Sequence, residues 1–193
     1  RPPRSTLFPY TTLFRSMSVE AGFPGIYLVA NVSDNSIKKE VMLQKGYDAV
    51  CYCDILGHAQ QNRNTFKHKV FKHLQGILLN RPTHVYDYSK HYKELIGEID
   101  KDENVIPQIV PQWDHSPRGG RKTNIYINST PKNFAKHVRM AMEAIKGKKE
   151  EHQILMLKSW NEWAEGNYME PDLTHGRGYI DALRQVVDEY MDK

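Results

Sequence analysis

Cysteine is scarce in this sequence, with two in 193 residues, and this scarcity excludes a small scaffold held together by disulfides. Uninterrupted apolar runs are short, and none approaches the roughly 18 residues of a membrane-spanning helix. The sequence contains neither CxxC nor HExxH, and it contains no recognisable nucleotide-binding motif. We therefore predict no membrane span, no metal site and no cofactor.

The formal net charge is +4 and the pI is about 8.9, values that suit a nucleic-acid or membrane-surface partner. Much of this excess comes from residues 1–16, which contain Arg1, Arg4 and Arg15 and no acidic residue. The other 177 residues have 24 basic and 23 acidic side chains. This near-neutral remainder gives no electrostatic reason to expect nucleic acid as a partner.

Residues 1–16 resemble a translated DNA reagent rather than a natural protein segment. One codon choice for RPPRSTLFPYTTLFRS reproduces a commonly used short-read sequencing adapter over all sixteen codons. We predict that this segment is an artefact and exclude it from the argument about the fold. Because the native N-terminus is then expected to be missing, the predicted cytoplasmic location leaves the question of a signal peptide open.

Short apolar runs alternate with amphipathic stretches along the rest of the chain. Apolar runs bounded by turn residues predict strands at Gly25–Ala30, Asp48–Cys53, Val105–Val110 and Ile154–Leu157. Apolar residues at helical spacing predict helices at Asn35–Gln44, Val70–Leu79, Tyr88–Lys101, Ser129–Lys146 and Gly178–Met191. Four β-then-α units indicate an α/β fold with parallel strands covered by helices, either a small open sheet or half of an eight-stranded barrel.

Two polar segments follow predicted strands, at the end where functional residues of parallel α/β folds lie. After the third strand comes segment 111–120, which contains Trp113, Asp114, His115 and Arg118 beside two glycines. The last three of these are candidates to bind sugar hydroxyls or an anionic group. The alternative is an ion pair between Asp114 and Arg118 that only braces the loop.

The segment 159–171, after the fourth strand, is denser in functional groups. Glu162 and Glu165 supply two carboxyl groups three residues apart, and glycoside chemistry needs one group to donate a proton and another to act as base or nucleophile. Flat aromatic faces and polar groups beside them suit a sugar ring and its hydroxyls, and these candidates are Trp160, Asn161, Trp163, Tyr168 and Glu170. The alternative is a loop that caps a helix and packs its tryptophans on the barrel rim.

The string WNEWAEG at 160–166, followed by Glu170-Pro171-Asp172, resembles the signature of the WbsX-type proteins. The segment 111–118 is similar to the second motif of that family. Its members are described as glycosyltransferases of bacterial surface-polysaccharide and lipopolysaccharide synthesis, and as glycoside hydrolase family 99-like proteins. The resemblance implies that residues 17–193 are the C-terminal half of a single glycosidase-like (β/α)8 TIM barrel, with about four βα units and a truncated N-terminus.

The resemblance also implies roles for individual residues. In the hydrolase family, the glutamate that corresponds to Glu162 takes a proton from the sugar 2-hydroxyl, which then attacks the anomeric carbon and gives a 1,2-anhydro intermediate. The glutamate that corresponds to Glu165 acts as general acid and then as base. Ala164 stands where these hydrolases usually have His, so the substrate contact at this position is expected to differ.

We therefore expect a carbohydrate-active enzyme that acts on an oligosaccharide or polysaccharide, with Glu162 and Glu165 as the catalytic pair. The expected substrate-binding residues are Trp113, Asp114, Arg118, Trp160, Asn161, Trp163, Tyr168 and Glu170, with Asp172 and His175 as candidates for the rim. The choice between hydrolase and transferase stays open. So do a non-catalytic sugar-binding α/β module, a domain that binds a phosphorylated ligand, and the oligomeric state.

Overall fold

The computed structural model describes residues 8–53, 84–120 and 123–191. Its helices are α1 (Phe8–Glu20), α2 (Lys39–Gln44), α3 (Tyr88–His91), α4 (Ser116–Gly119), α5 (Pro131–Ile145) and α6 (Gly178–Met191). Its strands are β1 (Val29–Val32), β2 (Ala49–Tyr52), β3 (His84–Asp87), β4 (Gln108–Ile109), β5 (Asn124–Ile127), β6 (Met156–Leu157), β7 (Asn161–Glu162) and β8 (Asn167–Tyr168). Within these ranges, a search for a helix long and apolar enough to cross a bilayer finds no candidate.

Six strands form three parallel pairs, β1 with β2, β3 with β5 and β4 with β6. A further parallel bridge between Val50 and Val105 joins β2 to the segment that leads into β4. This confirms a mixed α/β fold with parallel strands, although the paired strands of the described residues do not close into a barrel. The strands β7 and β8 form a separate antiparallel hairpin.

Several predicted boundaries are wrong, and each error has a local cause. The first strand begins at Val29 instead of Gly25, because the Leu28 amide donates to the Asp48 carboxylate at 2.7 Å just before the ladder starts. The first predicted helix begins at Lys39 instead of Asn35, because the Asp34 side chain accepts from the Ser36 amide and holds a turn there.

The predicted helix over 88–101 divides into α3 and two 3-10 turns, at Tyr92–Glu94 and Glu98–Lys101. Gly97 is fully extended between these turns, and its amide donates to the Asp100 carboxylate at 2.8 Å. The predicted helix at 70–79 lies outside the described residues. Four strands were not predicted: β3 and β5 are short and have polar residues at their ends, and β7 and β8 lie within the polar segment 159–171.

The helices α5 and α6 confirm their predictions closely and form the main core. Thr130 caps α5 by accepting from the Asn133 amide at 3.3 Å, and Pro131 occupies the first turn, where its missing N–H is not needed. The side chains of Phe134 and Val138 are fully buried against α6. This helical layer packs beneath β4 and β6 and thereby fixes the strands from which the polar segments leave.

Residues 8–16 of the predicted adapter segment lie in α1. The Arg15 guanidinium contacts the Asp48 carboxylate at 2.7 Å and the Gly46 carbonyl at 3.0 Å. The ion pair is partly exposed, so we expect it to contribute roughly 0–1 kcal/mol. These contacts do not test where residues 1–16 come from, and their origin stays a prediction.

A buried histidine joins the core to the first polar segment. The Tyr88 hydroxyl donates to the Val110 carbonyl at 2.6 Å, and its oxygen lies 2.9 Å from His137 Nδ1. Burial lowers the pKa of His137 from 6.5 to about 4. With Tyr88 donating to Val110, the tyrosine oxygen can accept from Nδ1 of neutral His137, while the buried His137 Nε2 has no hydrogen-bond partner among the described residues.

The lowered pKa of His137 predicts that the protein becomes less stable in mild acid. The unfolded chain binds a proton at His137 below about pH 6.5, whereas the folded chain binds it only near pH 4. Its contribution is therefore fully present above pH 6.5 and falls as the pH decreases. We expect the free energy of unfolding to drop by about 2 kcal/mol between pH 7 and pH 5, measured by urea denaturation.

The control for this prediction is a matched pair of variants. His137→Gln should flatten the pH dependence, while His175→Gln, at a half-buried position in a turn, should keep it. A wild-type free energy of unfolding that does not change between pH 7 and pH 5 would contradict the assignment.

Candidate active site

The two polar segments leave neighbouring strands at the same edge. β4 and β6 are parallel partners, with Gln108 opposite Met156 and Ile109 opposite Leu157. Segments 111–120 and 159–171 begin just beyond their carboxyl ends. The structure therefore brings together two segments that lie about forty residues apart in the sequence, as expected for a site of a parallel α/β fold.

A short hairpin carries the paired glutamates. Glu162 ends β7, and a 3-10 turn over Trp163–Glu165 leads through Gly166 into β8. Gly166 has φ 51° and ψ 33°, a left-handed conformation that suits glycine. A Cβ at this position would lie 3.0 Å from the Asp114 Cβ and 3.1 Å from the Asp114 nitrogen. The hairpin thus depends on a glycine at its contact with the other segment.

Buried Asn167 ties the two segments together. Its side-chain amide donates to the Gln112 carbonyl at 2.6 Å and to the Lys158 carbonyl at 3.0 Å. The Asn167 carbonyl in turn accepts from the Ser159 hydroxyl at 3.0 Å. Because buried amides are costly to leave unpaired, these bonds fix the hairpin against the first segment.

The Glu165 side chain lies where segment 159–171 contacts segment 111–120. Its Oε1 lies 3.4 Å from His115 Nε2 and 3.4 Å from an Arg118 guanidinium nitrogen. Its backbone carbonyl accepts from the Asp114 amide at 2.9 Å. The Glu165 side chain is 19% exposed, whereas that of Arg118 is 61% exposed. The carboxylate is therefore oriented by the opposite segment and still reachable from solvent.

Asp114 turns towards its own loop. Its carboxylate accepts from the Ser116 amide at 2.9 Å and from the Ser116 hydroxyl at 2.5 Å. Arg118 contacts Glu165 and not Asp114. The loop is thus braced by Asp114 and Ser116, and the ion pair of Arg118 crosses to the glutamate segment.

Glu162 is half-buried at the end of β7. Within residues 8–53, 84–120 and 123–191, its carboxylate has no hydrogen-bond or ion-pair partner. The neighbouring Asn161 is exposed. Both side chains are available to a ligand at the hairpin.

Trp163 forms a fixed aromatic surface. Its ring stacks on Tyr168 with centroids 3.7 Å apart and planes 19° apart. Its indole N–H donates to the Glu170 carboxylate at 2.6 Å. The side chain remains 48% exposed, and Trp160 is 50% exposed. With one face covered by Tyr168, the other face of Trp163 suits a flat sugar ring.

The predicted rim residues occupy the next turn. The Asp172 carboxylate accepts from the Thr174 and His175 amides at 2.7 and 2.5 Å. The pKa of Tyr168 is raised by partial burial and, to a smaller extent, by the charge of Asp172. The charge of Asp172 therefore affects the ionisation of the Tyr168 hydroxyl. His175 packs edge-on against Tyr179.

Sequence reasoning missed Lys158. Its ammonium lies 4.8 Å from the centroid of the Trp113 ring, a cation–π distance. The signal that could have revealed it is its position, since it follows the apolar run ILML directly at a strand end. A metal cluster was not predicted, and within the described ranges no group of three or more His, Cys, Asp or Glu side chains could hold an ion.

The α/β fold is similar to that of a solved glycoside hydrolase-like structure. One solved structure, a "glycoside hydrolase-like protein", is 14% identical with a TM-score of 0.56, and the match covers 95% of this chain and 50% of that one. A second, the GH99 endo-alpha-mannosidase of Bacteriodes thetaiotaomicron, is 14% identical with a TM-score of 0.47 over 86% of this chain and 47% of that one.

The family of this chain follows from the match of its sequence to a family model. The model of the family "Glycosyltransferase WbsX" matches residues 5–183, and the chain belongs to that family. Two WxcX proteins of Xanthomonas campestris pv. campestris are similar, at 28% identity over 109 residues and 31% over 106. These matches cover 56% and 52% of this chain but only 16% and 15% of the relatives, so the chain spans a small part of their length.

Proposed function

We propose that the chain carries the active site of a carbohydrate-active enzyme that makes or breaks a glycosidic bond. The observation that carries this proposal is the meeting of the two segments, in which Glu165 contacts His115 and Arg118 beside an exposed tryptophan. Membership of the WbsX family supports it. The setting proposed is bacterial surface-polysaccharide or lipopolysaccharide metabolism.

In the proposed reaction the two glutamates have separate tasks. Glu162 accepts the proton of the sugar 2-hydroxyl, whose oxygen forms a bond to the anomeric carbon as the bond to the leaving oxygen breaks. Glu165 enters this step in its protonated form and donates that proton to the leaving oxygen. It then takes a proton from the incoming water or acceptor hydroxyl, which opens the 1,2-anhydro ring while Glu162 returns its proton to the 2-oxygen. His115 and Arg118 are positioning residues for Glu165.

The aromatic pair is proposed as the platform for one sugar ring. Trp163→Ala should raise KM about 2- to 10-fold with little change in kcat, because stacking contributes roughly 0.5–1.5 kcal/mol. Trp163→Phe should recover most of the loss. Leu173→Ala is the matched control, since Leu173 is exposed and apolar but lies in the turn beyond the pair. A lower kcat at unchanged KM in Trp163→Ala would contradict the platform.

Hydrolysis and transfer are separated by one assay. The protein is supplied with a panel of nucleotide-sugar donors, with and without an acceptor glycan, and donor consumption is measured. Because the sequence shows no nucleotide-binding motif, we expect donors to persist and glycan cleavage to occur. Consumption of a donor only with acceptor would assign the transferase. Glycan binding without any turnover would support the alternative, a non-catalytic sugar-binding module.

We also propose that residues 17–193 are part of an eight-stranded barrel and that residues 1–16 are adapter-derived. The parallel pairs support the first proposal, as does the coverage of half of the glycoside hydrolase-like chain. Half a barrel would expose unpaired strand edges, so residues 17–193 expressed alone should be poorly soluble, and the variants proposed for stability, binding and turnover are made in a completed chain. A cooperative melt of the monomer would count against it.

A further inference from the structure

Lys158 follows β6 directly and lies on the face of this strand that points away from α5 and α6. In β6 and the two residues before it, Ile154 and Met156 pack against the cluster of β2 and Ile106, whereas Leu155 and Leu157 pack with the helices. Side chains alternate along a strand, and the Lys158 amide still donates to the Ile109 carbonyl at 2.9 Å within the ladder. Lys158 therefore shares the face of Ile154 and Met156 and is its last member, at the carboxyl end.

Lys158 is half-buried, and its ammonium lies at the carboxyl end of β6. It lies over the Trp113 ring at 4.8 Å, and Trp113 is itself 6.0 Å from the His115 ring. Among the residues that the structure describes, the ammonium has no hydrogen-bond or ion-pair partner. An ammonium carries three donors, and a partly desolvated charge gains most from an acceptor of opposite sign.

The acids nearby are already engaged or belong to the proposed chemistry. Asp114 is held by Ser116 and Glu170 by the Trp163 indole. Glu165 contacts the His115 imidazole and the Arg118 guanidinium. The first segment and the end of β6 therefore carry three basic side chains around Trp113 and Glu165.

We propose that Lys158 is a specificity-determining residue that binds an anionic substituent, a carboxylate or a phosphate, on the sugar that enters this site. The inference rests on the proposed function and deepens it, because it assigns the substrate to the class of charged sugars. The Trp113 ring beneath the ammonium places the charge beside an aromatic face, so one ligand can meet both.

The test compares three probes at low salt by calorimetry. Methyl glucoside is neutral, methyl glucuronoside carries a carboxylate on the same ring, and glucose 1-phosphate carries a phosphate. We expect at least one anionic probe to bind about tenfold more tightly than the neutral one, the effect of one hydrogen bond to a charged group. Preference for the glucuronoside alone identifies a carboxylate, and preference for the phosphate alone identifies a phosphate.

Variants test whether the preference for an anionic probe depends on Lys158. In Lys158→Met the anionic and neutral probes should bind about equally, and the affinity for the neutral probe should stay within about twofold of wild type. Lys158→Arg should keep the preference, because the charge is retained. Lys146→Met is the matched control, since Lys146 is 62% exposed at the far end of α5, and it should bind like wild type. Equal wild-type affinity for neutral and anionic probes, no saturable anionic binding, or a preference that survives in Lys158→Met would overturn the proposal.

The two proposals fail separately. Turnover that depends on the glutamates without any anion preference would overturn the role of Lys158 and leave the enzyme intact. Anion preference through Lys158 without turnover would support the subsite and overturn the enzyme.

Discussion

Glu162→Gln is expected to lower turnover of the glycoside by about 10²- to 10⁴-fold, the usual contribution of a general acid or base. The amide that replaces the carboxylate cannot accept the 2-hydroxyl proton, so the oxygen remains a poor nucleophile. The Glu162 carboxylate has no partner within the described ranges, so its loss should break no existing bond. Glycan affinity should therefore stay near that of wild type.

Glu165→Gln should give a loss of similar size that depends on the leaving group. A general acid matters most for a poor leaving group, so an activated aryl glycoside should recover much of the rate of the first step, the release of the aryl group, in Glu165→Gln. It should recover little in Glu162→Gln, where nucleophilic attack is impaired. Glu151→Gln is the matched control, because Glu151 is 75% exposed in a distant turn, and its rate should equal that of wild type.

Gly166→Ala is expected to reduce turnover about 10²-fold, the effect of a displacement near 1 Å at a reacting group. The left-handed backbone alone costs a non-glycine residue about 1–2 kcal/mol. The added Cβ would also meet the Asp114 nitrogen at 3.1 Å, so the hairpin must move away from the first segment. This movement breaks the bond from the Asp114 amide to the Glu165 carbonyl.

Two further variants separate strain from close approach. Gly147→Ala is the control, since a Cβ at Gly147 meets nothing within 4 Å, and it should leave turnover unchanged. Gly166→Asn tolerates the left-handed conformation but keeps the added Cβ, so it should lose activity like Gly166→Ala. Full activity in Gly166→Asn would show that close approach to Asp114 is not required.

Secondary structure was predicted best where all residues that determine an element lie in one short stretch of sequence. Thr130, Pro131 and the apolar spacing of α5 define that helix locally, and α6 ends where its pattern ends. The strands β3 and β5 were missed because polar residues at their ends leave only a short apolar run, and their pairing is non-local. Extended Gly97 divided a predicted helix that looked continuous by spacing alone.

The candidate site shows the same division. The paired glutamates and their aromatic neighbours could be found from the string at 160–166 and from its place after a strand. The contacts of Glu165 with His115 and Arg118 could not, because they depend on the parallel pairing of β4 and β6. Lys158 was missed for the same reason, since its position over Trp113 depends on which face of β6 it occupies.

The most direct test of the paired glutamates measures turnover and glycan affinity together in wild type, Glu162→Gln and Glu165→Gln. We expect both variants to bind the glycan within about twofold of wild type and to turn it over at least about 10²-fold more slowly. Turnover that is unchanged in both variants would contradict the assignment of the paired glutamates as the catalytic groups.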